Sequence, residues 1–228
     1  MAPTPDDTYT GHVTSTGPAG VRELRDITIR KLEVGGFGNN AYLLTCRATG
    51  AQLLVDAAAE PDRLLELVSA GGGGLDTVVT THQHHDHVGA LAEVVAATGA
   101  RTVAGADDAD ALPVPVDERV GQGDTVSVGD VTLDVVHLRG HTPGSIALAY
   151  ADPSPDGHTH LFTGDSLFPG GIGNTKNPGQ SFDSLMADVT TRVFDVYDDD
   201  SWFYPGHGDD STLGVERPHL DEWRARGW

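Results

Sequence analysis

One cysteine, two lysines and few aromatic residues (6%) set the first limits on this 228-residue chain. A single thiol, Cys46, excludes an intrachain disulfide and any metal site built on several thiolates. Basic charge is also scarce: 14 Lys and Arg stand against 34 Asp and Glu, a formal net charge of −20. No basic stripe interrupts that excess, so neither nucleic acid nor an anionic membrane surface is expected as a partner. No apolar run reaches the ~18 residues of a membrane-spanning helix. Residues 1–20 are polar and acidic and lack the charged-then-apolar order of a secretory signal, which places the expected location in the cytoplasm.

What is present is glycine, aspartate and histidine. Asp outnumbers Glu 26 to 8, and Asp favours caps and turns over helix interiors, so a loop-rich surface is expected. Residues 1–20, rich in Pro, Thr, Gly and Asp, are expected to form a flexible arm, and residues 21–228 a single domain, since no repeat and no shift in composition divides them. Alternation and turn signals predict strands over 27–34, 41–46, 52–56, 75–80, 101–104, 125–128, 131–138, 146–150, 160–163 and 201–204. Apolar spacing predicts helices over 61–70, with Pro in the first turn, and over 88–98, 182–196 and 215–226. Residues 106–120 read as irregular. Runs of strands interrupted by helices fit an α/β (α+β) chain with two mixed sheets and helices outside better than a doubly wound parallel sheet.

The run Thr81-His82-Gln83-His84-His85-Asp86-His87 directly follows a strand. In extended backbone, residues two apart point the same way, so His82 and His84 can converge on one ion. Asp86 and His87 diverge where the loop turns and can reach a second ion beside the first. Imidazole and carboxylate donors suit zinc, iron or manganese. The plainer reading of Asp86, a cap for the following helix, leaves the neighbouring histidines unexplained. Three later strands also end in glycine-flanked turns carrying a donor: Gly140-His141-Thr142-Pro143-Gly144, Thr163-Gly164-Asp165-Ser166 and Pro205-Gly206-His207-Gly208. Four strand-end loops with ligand chemistry form one constellation.

With these motifs in this order, and Asp56 after an early strand in Leu53-Leu54-Val55-Asp56-Ala57, the chain resembles the metallo-β-lactamase superfamily, and within it the glyoxalase II-like hydrolases. The resemblance runs from about residue 27 to 207. It implies an αββα sandwich with the site at one edge of the two sheets. His82, His84 and His141 would hold a first metal, and Asp86, His87 and His207 a second. Asp165 would bridge the two, while Asp56 would orient the histidine loop. It further implies two Zn2+ per chain, with Fe2+ or Mn2+ as alternatives. Metal-bound hydroxide would then attack a small thioester or ester, with Asp86 as the catalytic carboxylate that orients it or shuttles its proton. Two divalent ions against two carboxylates and a hydroxide leave a local charge of about +1 inside an acidic shell.

The chain departs from that family pattern in three places. Only 21 residues follow His207, so the helical C-terminal domain that helps bind glutathione is not expected. Asn174 stands where the family places a Lys or Arg, with Lys176 as the stand-in. Ser145 replaces a common histidine. A small-molecule thioester or ester is therefore the expected partner, with glutathione itself disfavoured and a homodimer allowed. Phe37, in the loop between the first strands, is a candidate substrate contact together with Asn174 and Lys176. Two other readings stay open: a persulfide dioxygenase with one iron on His82, His141 and Asp165, and a non-catalytic metal-binding domain. Elsewhere, His137 reads as a core or supporting residue and His158 and His160 as exposed turn residues. Trp202, Trp223 and Trp228 read as packing, and Cys46 as a buried strand residue.

Overall fold

The computed structural model describes residues 9–227. Strands β1 (Gly20–Glu23), β2 (Ile27–Val34), β3 (Asn39–Cys46), β4 (Gln52–Val55), β5 (Leu75–Thr80), β6 (Arg101–Gly105) and β7 (Glu118–Val120) pair in sequential order into one sheet. Its first half is antiparallel. From β4 onward the strands run parallel, because α1 (Pro61–Ala70) and α2 (Leu91–Thr98) carry the chain back between them. The second sheet takes up β8 (Thr125–Val128), β9 (Val131–His137), β10 (Ile146–Ala151) and β11 (Thr159–Gly164) as an antiparallel meander. A short pair, β12 (Leu167–Phe168) and β13 (Gly171–Ile172), then precedes α3 (Phe182–Val189). Strand β14 (Trp202–Pro205) returns parallel to β11, and β15 (Ser211–Thr212) closes that edge before α4 (Leu213–Glu216) and α5 (Leu220–Arg226).

The layers are helix, sheet, sheet, helix, as the αββα expectation holds. Ile29, Leu44, Leu53 and Val79 of the first sheet meet Leu133, Leu148 and Phe162 of the second in the central core. Leu64, Leu67 and Val68 of α1 recur at helical spacing and cover Leu43, Leu54 and Val78 on the outer face. Leu185, Met186, Val189 and Trp223 cover the outer face of the second sheet. Every residue of β3 is buried, since this strand has a packed layer on both sides. No described helix is long and apolar enough to cross a membrane.

Several elements differ from the sequence reading for local reasons. Strand β1 lies ahead of the first expected strand, and residues 106–120 include a short helical turn (Ala109–Ala111) and β7. The second helix starts at Leu91, not 88, because His85–His87 forms its own 3-10 turn. The helix expected to reach 196 ends at Val189 and widens into a π turn, Thr190–Phe194. The last helix is split by Pro218, which cannot donate to an unbroken ladder. Residues 1–8 of the expected arm and Trp228 lie outside the described residues. The described part of the arm is anchored at two points, with the Tyr9 hydroxyl donating to Asp210 at 2.5 Å and the Gly11 carbonyl accepting from Lys31, while Thr14–Thr16 are exposed.

His160 corrects the expectation of an exposed turn: it lies in β11 with 2% exposure. Arg22 Nη1 donates to the Tyr204 hydroxyl (3.0 Å), which lies 2.7 Å from His160 Nδ1. The Tyr204 hydroxyl thus links the guanidinium to the imidazole. Burial, reinforced by the charge of Arg22, pushes the imidazole down to about 3 from 6.5. Above pH 6.5 neither the folded nor the unfolded chain protonates it; between 6.5 and about 3 only the unfolded chain does, so stability falls with pH over that window. In urea unfolding across pH 7 to 4, His160→Gln is expected to flatten this acid limb. At pH 7 the same variant should cost roughly 1–2 kcal/mol for the altered hydrogen bond. An unchanged pH slope would exclude His160 as its source.

Candidate metal centre

The donors predicted from sequence meet where strand ends of both sheets converge. His82 and His84 follow β5, with Asp86 and His87 in the succeeding turn; His141 follows β9, Asp165 follows β11 and His207 follows β14. Besides a buried set of Asp56, His82 and His87, two groups form at the edge: His82, His84 and His141, and Asp86, His87 and His207, each of the three sets with donor atoms within 4.8 Å of one another. Asp165 stands between them. Its Oδ2 lies 3.6 Å from His141 Nε2, 4.0 Å from His82 Nε2 and 3.5 Å from His207 Nε2, and its Oδ1 lies 3.3 Å from His87 Nε2. Asp86 Oδ2 is 3.4 Å from His207 Nε2. Gly206 makes room for this: a Cβ there would sit 2.1 Å from Asp165 Oδ1.

Four of the five imidazoles, all but His84, are aimed by their other nitrogen. His87 Nδ1 donates to Asp56 Oδ2 (2.9 Å), His141 Nδ1 to the Asn174 carbonyl (2.8 Å) and His207 Nδ1 to the Phe37 carbonyl (3.0 Å). Thr81 Oγ1 donates to Asp56 (2.7 Å) and so accepts from His82 Nδ1 (3.0 Å). All four therefore present Nε2 to the centre. Asp56 also accepts from the Thr81 amide at 2.7 Å, which commits its oxygens to the scaffold. It is held at φ 59°, a left-handed conformation rare outside glycine.

The donor set passes a test of fit for a metal. His82 Nε2 and His141 Nε2 are buried with no hydrogen-bond partner among the described residues, an arrangement that costs energy unless an acceptor of their lone pairs is supplied. Burial lowers the pKa of His82, His84 and His141, which keeps them neutral and ready to ligate. Burial opposes charge on His87 too, but the Asp165 carboxylate 3.3 Å away and the hydrogen bond to Asp56 overcome it and push His87 up to about 10. Asp165 is held well below the usual carboxylate range, its burial outweighed by His207 and His87.

The other candidates fall at the rim. Phe37 is 73% exposed and meets the His85 ring edge-on at 6.2 Å. Asn174 contributes its carbonyl to His141, while its side-chain oxygen accepts from the Lys176 amide; Lys176 itself is exposed. Asp86 makes no side-chain cap to a helix. His137 braces the Pro143 carbonyl (2.8 Å), and Cys46 is buried in β3. A cavity of about 180 Å³ adjoins the first group, walled by Gln83, His84, His141, Thr142, Asn177 and Gln180. Larger hollows of about 470 and 460 Å³ lie elsewhere, beside α3 and beside Cys46; chemistry rather than volume marks the site.

Sequence reasoning missed the support of the His207 loop. Asn39 donates to Asp86 Oδ2 (3.0 Å), and Asn40 donates to the Pro205 and Gly208 carbonyls. Lys31, with no exposed surface, donates to the carbonyls of Gly11 and Gly208 and to Asp210 Oδ1 at 2.7–2.8 Å. Its one legible signal was a lysine within an otherwise alternating strand of a chain that has only two.

A sandwich of two mixed sheets with a His/Asp cluster at their shared edge defines a metal-binding αββα protein. The metallo-β-lactamase superfamily model matches residues 34–207, and the chain belongs to that superfamily. It is 39% identical over 150 residues to a hydroxyacylglutathione hydrolase of Rhodospirillum rubrum, covering 64% of this chain and 56% of that protein. The chain thus spans little more than half the length of that curated relative. Hydroxyacylglutathione hydrolase GloC of Haemophilus influenzae is 27% identical over 211 residues, 84% of this chain and 95% of that one. The crystal structure of ETHE1 from Myxococcus xanthus superposes with a TM-score of 0.76 at 28% identity, covering 86% of this chain and 84% of that one.

The Lys31–Asp210 pair generates a stability prediction. Lys31→Met should destabilise the fold by about 3–5 kcal/mol in chemical denaturation, because it leaves a buried carboxylate without its cation. The double variant Lys31→Met/Asp210→Leu should recover part of that loss; equal losses in the two would show that the charge is not the cause.

Proposed function

We propose that the chain is a metal-dependent hydrolase of a small thioester, with esters as the related class. The observation that carries this reading is the pair of donor groups joined by Asp165 at one sheet edge. Relatives named hydroxyacylglutathione hydrolase support it. His82, His84 and His141 would hold one ion and Asp86, His87 and His207 the other, with Asp165 reaching both. Zinc is the first choice for this nitrogen and oxygen set, and iron or manganese also suit it. When bound, the metal supplies a water of lowered pKa and a Lewis acid for the carbonyl oxygen.

The protein's own groups do the rest. Asp86 carries charge readily: burial opposes ionisation, but the Asn39 amide and His87 hold its pKa below the usual value. It therefore stays ionised and can orient the attacking water by accepting its hydrogen bond; with its pKa lowered it relays that water's proton and does not retain it. That proton passes on to the departing sulfur, so water and thioester yield a carboxylic acid and a thiol. The cavity beside His84 and His141 receives one arm of the substrate against the neutral side chains of Gln83, Thr142 and Gln180. Phe37 and Lys176 are the proposed rim contacts, whereas Asn174 acts through its carbonyl.

Elemental mass spectrometry on protein never exposed to chelator should find close to two zinc per chain, and a thioester panel should then give turnover. His84→Ala should lower that turnover by at least about 10²-fold with far-UV circular dichroism unchanged. Close to one iron with little zinc would overturn the binuclear reading and direct the assay to persulfide oxidation. Loss of fold in His84→Ala, with no turnover by the parent chain, would indicate a structural metal.

A further inference from the structure

Asp108 is buried, at 1% exposure, behind the first donor group rather than within it. It lies just past β6, ahead of the turn Ala109–Ala111. Its Oδ2 accepts from the Gln83 amide (3.0 Å) and from the Thr142 hydroxyl (2.5 Å), and its Oδ1 accepts from the Gly144 amide (2.7 Å). Gln83 separates His82 from His84, and Thr142 directly follows His141. One carboxylate therefore fastens together the two loops that supply the whole first group. Those loops belong to different sheets, since one leaves β5 and the other leaves β9.

The close approach is built into the backbone. A Cβ at Gly105 would lie 1.9 Å from the Gly144 carbonyl oxygen, so only glycine lets the β6 end touch the His141 loop. At the base of the loops the Ile146 amide donates to the Thr81 carbonyl (2.9 Å), and Asp108 adds the tie nearer the imidazoles. Thr142 Oγ1 gives its hydrogen to the carboxylate, so the Ser145 hydroxyl, 2.5 Å away, donates to Thr142 in turn. A carboxylate is the one common side chain that accepts from all three donors at once. An amide of the same shape turns a donor toward at least one of them.

We propose that Asp108 is a positioning residue: it sets the separation of His84 and His141, and with it the metal affinity of the first group and the shape of the adjoining cavity. This rests on the metal reading given above. Cobalt(II) is the probe, titrated into the metal-free 228-residue chain and into Asp108→Asn, with visible absorption reporting ligand geometry. The parent chain should bind two ions. Asp108→Asn should bind the second group's ion as the parent does, while affinity at the first group falls about 10- to 100-fold, as expected when a ligand's supporting partner is lost. Its kcat on a thioester should fall more than its KM rises, and excess metal should restore part of it. Thr142→Val, which removes one of the three donors and leaves both amide bonds, should give a smaller loss at the same group and serves if Asp108→Asn does not fold.

Unchanged affinities at both groups in both variants, with only the metal-free melting temperature lowered, would reduce Asp108 to a structural residue and overturn the proposal. A parent chain that takes up no cobalt would overturn the metal reading instead, and this inference with it.

Discussion

An imidazole has two nitrogens, and a buried metal centre can use only one. The other must be given a partner by the scaffold, or the ring is left both mispointed and unsatisfied. Most of what surrounds this site answers that constraint. His87 is aimed by Asp56, His82 by Thr81, His141 by the Asn174 carbonyl and His207 by the Phe37 carbonyl. Two of these partners are backbone carbonyls in glycine-rich loops, at Phe37 and Asn174. The path of those loops therefore matters to the centre as much as the side chains do.

The second constraint is distance between backbones. Strand ends from two sheets can bring donors within a few ångströms only where side chains do not intervene. Gly206 lies against Asp165 and His87 for this reason. Around these contacts the polar groups are tied in pairs across the two sheets. Asn39 and Asn40 of β3 hold the Pro205–His207 segment and its Gly208 neighbour, and Lys31 joins the arm near Gly11 to the same loop. A lysine with no exposed surface is costly unless all its donors are met, and here each has an acceptor.

The clustering of these histidines and aspartates was legible because they sit at the ends of apolar strands in short, unusual strings, where residue type and chain direction suffice. The sandwich was legible from strand runs interrupted by helices. What was hidden depends on tertiary neighbours. His160 sits in a Pro/Asp/Gly-rich stretch that reads as a turn, and only its pairing with Tyr204 shows it to be core. The arm from Tyr9 looked unconstrained because its partner, Asp210, is some 200 residues away in the chain. Asn174 was singled out for its side chain, yet its carbonyl is what touches His141, and backbone roles leave no mark in sequence.

Strand β14 carries the final donor, and it docks parallel beside β11 after a long excursion through α3. On a ribosome the first sheet and both helices on its outer face emerge well ahead of it. Histidines 82 to 87 can thus be placed while His141, Asp165 and His207 are still unsynthesised or in the exit tunnel. The centre is finished only by the return of one late strand, so its assembly marks the closure of the entire sandwich, and a chain arrested just before that strand would carry six of its seven donors and lack His207 alone.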